Sequence, residues 1–174
     1  MPTRREIGFD YSLRIDAPPG KVLAAFFDAR ALAEWWEVET SVATPRLLGA
    51  YTLQWPLSGE IDELLGPLGG VFHGTVIDFQ PDRGFFVGDC YWLPPEGDPV
   101  GPMAFEVTCS TADTSARTGT VRTTLLRVVQ RGLDDSPRWL RYYEVIGNGW
   151  PKALETLKAY LEHGRGVWDL RDYE

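Results

Sequence analysis

Three residues of this chain have the types and spacing to do acid–base chemistry together: His73, Asp89 and Tyr91. They flank a hairpin signal. The segment VFHGTVIDF runs into Gln80-Pro81-Asp82-Arg83-Gly84 and returns as FFVGDCYWL. Proline presets φ and glycine permits φ > 0, so the centre reads as a turn. Counting outward from it pairs Phe79 with Phe85, Ile77 with Val87, Thr75 with Asp89 and His73 with Tyr91. Residues of one parity share one face of a sheet. His73, Asp89 and Tyr91 then stand among apolar neighbours on the face expected to line a cavity. The other face carries Asp78 and Gln80 and is assigned to water. A buried carboxylate is costly unless paired, and a histidine can pair with it. Such a cluster would orient a polar group of a ligand or move a proton. The same residues serve equally as a satisfied structural pair, or as an exposed one if the faces are reversed.

Four aromatic residues, Trp55, Trp92, Tyr143 and Trp150, are candidates for a cavity wall. Plain core packing is the alternative for each. Seven Trp, seven Tyr and eight Phe are rich for 174 residues. Trp35 and Trp36 sit where short helices would meet a sheet, one as core and the other at a pocket mouth. Glu144 falls one residue past a helical apolar stripe and reads as surface. The acidic trio Glu60, Asp62 and Glu63 reads as a solvated loop, or as a lid.

Several chemistries are excluded. Cys90 and Cys109 lack Cys-x-x-Cys spacing and, by strand counting, stand about four positions out of register, so they read as structural free thiols. Only two histidines exist, His73 and His163, too few for a multi-histidine metal site. No glycine-rich phosphate loop, nucleophile elbow or metal-ligand array appears, so neither metal nor cofactor is expected; GPLGG lacks the lysine of a phosphate loop. The net charge of −8 speaks against nucleic acid and against anionic membrane surfaces. No run reaches signal-peptide or membrane-span length, which leaves the cytoplasm as the expected compartment.

The elements that would position these residues follow from periodicity. In IGFDYSLRI, apolar residues alternate with small and polar ones, which predicts a strand over 7–15. Asp16 and the prolines after it predict a helix start, with Asp16 as cap. A second short helix, ARALAEWW, begins beside Asp28. Strands then dominate: 49–55, the hairpin, MAFEVTCS and TVRTTLLRVVQ. Residues 56–70, with two prolines and four glycines, predict a loop with one helical turn near 61–65. From Ser136-Pro137 the period turns helical, through Trp139, Tyr143, Ile146, Trp150, Leu154, Leu157 and Leu161. Pro151 predicts a kink, and Gly164 predicts the end. The fold class is therefore α+β: a curved antiparallel sheet of about six to seven strands wrapped on a long C-terminal helix. Residues 1–163 form one domain in this reading and 164–174 a tail.

The order of elements, with IDAPPGKVLAAFFDARALAEWW, GTVIDFQPDR, TLLRVVQRGL, and Gly149-Trp150 followed by ALETLKAYL, resembles the SRPBCC (START-like, birch-pollen-allergen-like) superfamily. Within it the chain is similar to the branch related to activators of heat-shock protein 90 ATPase. The resemblance implies a helix-grip fold with a hollow between sheet and helix. It also implies a small hydrophobic or aromatic ligand as the partner, in a binding module rather than an enzyme. Two alternatives stay open: a cyclase- or aromatase-like enzyme using His73, Asp89 and Tyr91, and a co-chaperone-like protein-binding module. Val167, Trp168 and Leu170 in the tail suggest a homodimer.

Overall fold

The computed structural model describes residues 7–112 and 123–167. Alternation makes the first strand, β1 (Ile7–Ile15): Ile7, Phe9, Tyr11, Leu13 and Ile15 turn inward while their neighbours are exposed. Pro19 opens α1 (Pro19–Ala24). Asp16 does not cap it; its Oδ1 accepts a hydrogen bond from Thr123 Oγ1 at 3.0 Å instead. Asp28 does cap α2 (Ala29–Trp36), accepting from the Ala31 N–H at 2.8 Å. The strands β2 (Thr40–Ala43), β3 (Ala50–Trp55), β4 (Ile61–Asp62), β5 (Gly66–Pro67), β6 (Gly70–Gln80), β7 (Gly84–Leu93), β8 (Val100–Ala112) and β9 (Thr123–Gly132) follow. The long helix α3 (Pro137–His163) comes last.

Seven strands form one antiparallel sheet in the order β1-β9-β8-β7-β6-β3-β2. The first strand thus pairs with the last. One face carries α1, α2 and α3, and the core lies between: Ile15, Leu23, Phe26, Leu32, Trp35, Leu126, Leu154 and Leu157 are all buried. Each such side chain contributes ~1.5–3 kcal/mol by leaving water.

The expected helical turn within residues 56–70 is corrected. Residues 56–70 hold no helical turn; β4 and β5 pair as a small separate hairpin, Ile61 with Pro67 and Asp62 with Gly66. Helix α3 is continuous through Pro151 from Pro137 to His163. Ser136 occupies the cap position of α3, but its hydroxyl makes no cap bond. Asp134 accepts its N–H instead, at 2.8 Å. The end of α3 is as expected, with Gly164 at φ 66°. Among the described residues no helix is long and apolar enough to cross a membrane.

Candidate functional site

Two opposing bulges decide which hairpin residues face inward. Phe79 pairs with Phe85, and His73 with Tyr91, as counting from the turn predicts. Between these pairs the strands slip twice. Val76 pairs with Val87 and Asp78 with Phe86, so Ile77 is an extra residue on β6. Thr75 then pairs with Gly88, which leaves an extra residue on β7, where Asp89 takes the left-handed φ of 51°. The slips cancel in register, but each reverses the side-chain parity of its strand. Beyond them Phe72, Val76, Cys90 and Trp92 point inward and are buried.

His73 and Asp89 are therefore exposed, on the face opposite to the one expected. His73 Nδ1 lies 2.9 Å from Thr52 Oγ1, and Tyr91 packs over the Gly101 backbone. The three do not form a buried acid–base cluster, and the enzyme alternative loses the groups it required.

The inner face is filled at one end. Phe27 packs edge-on to Phe85 with centroids 4.7 Å apart, and Phe26 packs edge-on to Trp35 at 5.1 Å. Tyr51 donates its hydroxyl to the Phe26 carbonyl at 3.0 Å. Trp150 reaches down from α3 to stack on Phe105 at 5.7 Å and meets Trp36 at 4.6 Å. These rings plug the space beneath α1 and α2.

A half-open cleft of about 1070 Å³ survives beside the plug. It lies between α3, the C-terminal end of α2 and a strap formed by residues 56–69. Four adjacent strands supply one floor residue each: Phe72, Trp92, Phe105 and Gln130. Trp55 and Trp150 stand in the walls with Trp36. Helical spacing brings Val145, Ile146, Gly149 and Ala153 of α3 onto the same side. The indole N–H of Trp55 donates to the Trp36 carbonyl at 2.9 Å, and that of Trp92 to the Gly69 carbonyl at 2.8 Å. Both rings are thus fixed, with their polar edges already satisfied.

Of the sequence candidates, the cleft takes Trp55, Trp92 and Trp150 and not Tyr143. Tyr143 turns toward Trp139 and the Gly132 backbone, and its buried hydroxyl has no partner among the described residues. Burial raises its pKa. Tyr142, one residue earlier on the helix, faces the cleft and stacks on Trp92 at 5.4 Å. Gln130 was not a sequence candidate; it is 3% exposed, and its Nε2 donates to Tyr142 Oη at 3.0 Å. Gln130 shares the inward parity of Leu126 and Val128, and a polar residue on that apolar face was the available signal.

The strap is tied down at Asp62. Its carboxylate accepts from Arg141 Nε of α3 at 2.7 Å and from the N–H groups of Leu64 and Leu65 at 2.9 and 3.0 Å. Burial works to raise the Asp62 pKa, but the Arg141 guanidinium and the two backbone donors outweigh it and hold it below the usual value. Leu65, 2% exposed, drives into the core beside it. Glu60 and Glu63 are exposed as expected, whereas Asp62 is not solvated. Glu144 is exposed and pairs with Arg141 at 3.0 Å.

Both cysteines are free and buried, and burial pushes each thiol up to about 12. Cys90 stands opposite Met103, six positions before Cys109 on β8. Trp168 and Leu170 lie outside the described residues; Val167 sits at the cleft rim.

Solved structures share this fold. A protein from Mesorhizobium loti superposes with TM-score 0.59 at 23% identity, over 91% of this chain and 97% of that one. The Aha1 dimer from Colwellia psychrerythraea gives 0.60 at 17%, over 93% and 99%. The AHSA1 protein from Silicibacter pomeroyi gives 0.58 at 17%, over 88% and 97%.

The chain has the helix-grip fold.

No family model matches the sequence, and no curated protein does. The helix-grip likeness is one of architecture, and the chemistry rests on the cleft's own residues.

Proposed function

We propose that this helix-grip protein binds a small hydrophobic or aromatic molecule in the cleft between α3 and the 56–69 strap. One observation carries the reading: five of the seven tryptophans, Trp35, Trp36, Trp55, Trp92 and Trp150, line a single cleft. An apolar concavity with a few convergent polar groups is the usual form of a small-molecule site. Large apolar areas left beside water otherwise cost stability, so a hollow walled by rings calls for an occupant. His73 and Asp89 stand on the outer face, away from the cleft, which favours carriage over turnover. Two buried free thiols suit a reducing compartment, and the cytoplasm is proposed on that ground.

A panel of naphthalene- and steroid-sized compounds, followed by tryptophan fluorescence and melting temperature, tests the reading. Saturable quenching with a raised Tm supports it; a flat response across the panel removes it. Self-association is a companion proposal, because the Colwellia structure is a dimer. Sizing chromatography decides it, and a monomeric elution would end it.

A further inference from the structure

The deepest polar group in the cleft is the pair Gln130 and Tyr142, 3% and 5% exposed. Each buried donor and acceptor needs a partner, so their hydrogen bonds can be counted to completion. Gln130 Nε2 carries two hydrogens. One goes to Tyr142 Oη at 3.0 Å, and the other points at Met103 Sδ, 2.7 Å away. Two groups are left over: the Gln130 amide oxygen and the Tyr142 phenol hydrogen. Among the described residues, neither has a protein partner.

The Gln130 amide oxygen is not sealed in, and Tyr142 lines the same cleft. Among the described residues, the one buried side-chain oxygen or nitrogen cut off from both solvent and partners is Tyr143 Oη. Gln130 Oε1 therefore has an opening, and the space that Gln130 lines is the cleft. Turning the amide over gives the same result. Tyr142 then donates to Oε1, and the two amide N–H groups stand free beside the phenol lone pair. In either state a donor group and an acceptor stand side by side on the cleft floor among Phe72, Trp92 and Phe105, while the charged lining residues Lys152 and Glu155 are exposed. Thr156, the other buried polar side chain of the lining, spends its hydroxyl on the Lys152 carbonyl of its own helix at 3.0 Å.

We infer that the ligand is an apolar molecule carrying one neutral group that both donates and accepts a hydrogen bond, an alcohol or a phenol, seated on Gln130 and Tyr142. This rests on the carrier reading above. A hydrocarbon would bury both groups unpaired, and an ether would satisfy only the donor. A site built to hydrogen-bond a hydroxyl discriminates strongly against the analogue that lacks it.

Calorimetric titration with naphthalene, 2-methoxynaphthalene and 2-naphthol separates the possibilities. The wild-type protein is expected to bind 2-naphthol at least tenfold more tightly than either of the others. Gln130→Met and Tyr142→Phe should each bring that ratio to within about twofold, and Gln130→Met should tighten naphthalene. The wild-type comparison decides the matter even if a variant folds poorly. Equal affinity for all three compounds, or a preference for naphthalene, overturns this inference and leaves the carrier reading standing. Binding of none of the three overturns both.

Discussion

Arg141 Nε lies 2.7 Å from Asp62 Oδ2, and this contact fastens the strap across the cleft to the helix that forms its opposite wall. The strap's other holds include the Trp92 indole N–H on the Gly69 carbonyl at 2.8 Å, the Ser58 N–H to the Leu68 carbonyl at 3.1 Å and the buried side chain of Leu65. Asp62 is thus positioned to control how fast a ligand enters and leaves. In Asp62→Asn, association and dissociation rates for a bound probe should both rise several-fold, with a smaller change in affinity. Stopped-flow fluorescence reads both. Unchanged rates would mean that the strap is not the gate.

The same contact gives a pH dependence of definite sign. The Asp62 pKa is lowered in the folded protein. Its contribution is therefore fully present above the ordinary carboxylate range and is lost as pH falls through the lowered value. Probe exchange in the wild type should accelerate only on the acid side of that range. Asp62→Asn should lack this limb, and a profile shared by both proteins would contradict the assignment.

The reversed faces of the hairpin predict which substitutions do nothing to binding. His73→Ala and Asp89→Asn lie on the outer face and should leave probe affinity unchanged. Asp89→Val should nevertheless cost ~1–2 kcal/mol in denaturant unfolding, because a branched side chain is strained at positive φ. A loss of affinity in His73→Ala would reinstate the outer cluster as a site.

The fold was legible because its signals are local and redundant. Alternation in 7–15, the Asp28 cap, the turn at 81–84 and the long stripe of α3 each point to one element, and their order allows few arrangements. The site was less legible, for a specific reason. A parity argument is reversed by one extra residue, and β6 and β7 each carry one, at Ile77 and Asp89. Because the slips cancel, the pair His73 and Tyr91 comes out right while the face they occupy comes out wrong. Neither bulge has a glycine or proline at the inserted residue to announce it. On α3 the error was one residue of helical phase, Tyr143 for Tyr142. Trp55, Trp92 and Trp150 line the cleft because large rings on a hollow fold have few other places to go.

Trp150 separates the cleft from the filled end of the core, touching Phe9, Trp36 and Phe105. Trp150→Ala should cost ~3–5 kcal/mol in chemical unfolding, through lost burial and the cavity left behind. It should also enlarge the cleft, so that a four-ring probe such as pyrene binds more tightly than in the wild type. Weaker binding of every probe size would show that the ring is part of the ligand contact instead.

The two thiols offer a test of the core. With pKa values raised to about 12 and buried side chains, Cys90 and Cys109 should resist iodoacetamide at pH 8 in the native protein. Both should react within minutes in denaturant, by mass spectrometry. Rapid native labelling of Cys90 would mean that the inner face of β7 opens to solvent.

Nuclear magnetic resonance of the tryptophan indole N–H groups during a titration with 2-naphthol tests the cleft most directly. The signals of Trp36, Trp55, Trp92 and Trp150 should shift together and saturate, while that of Trp139, outside the cleft, stays in place. Saturating shifts confined to Trp139, or no shifts at all at millimolar probe, would contradict a ligand site between α3 and the strap.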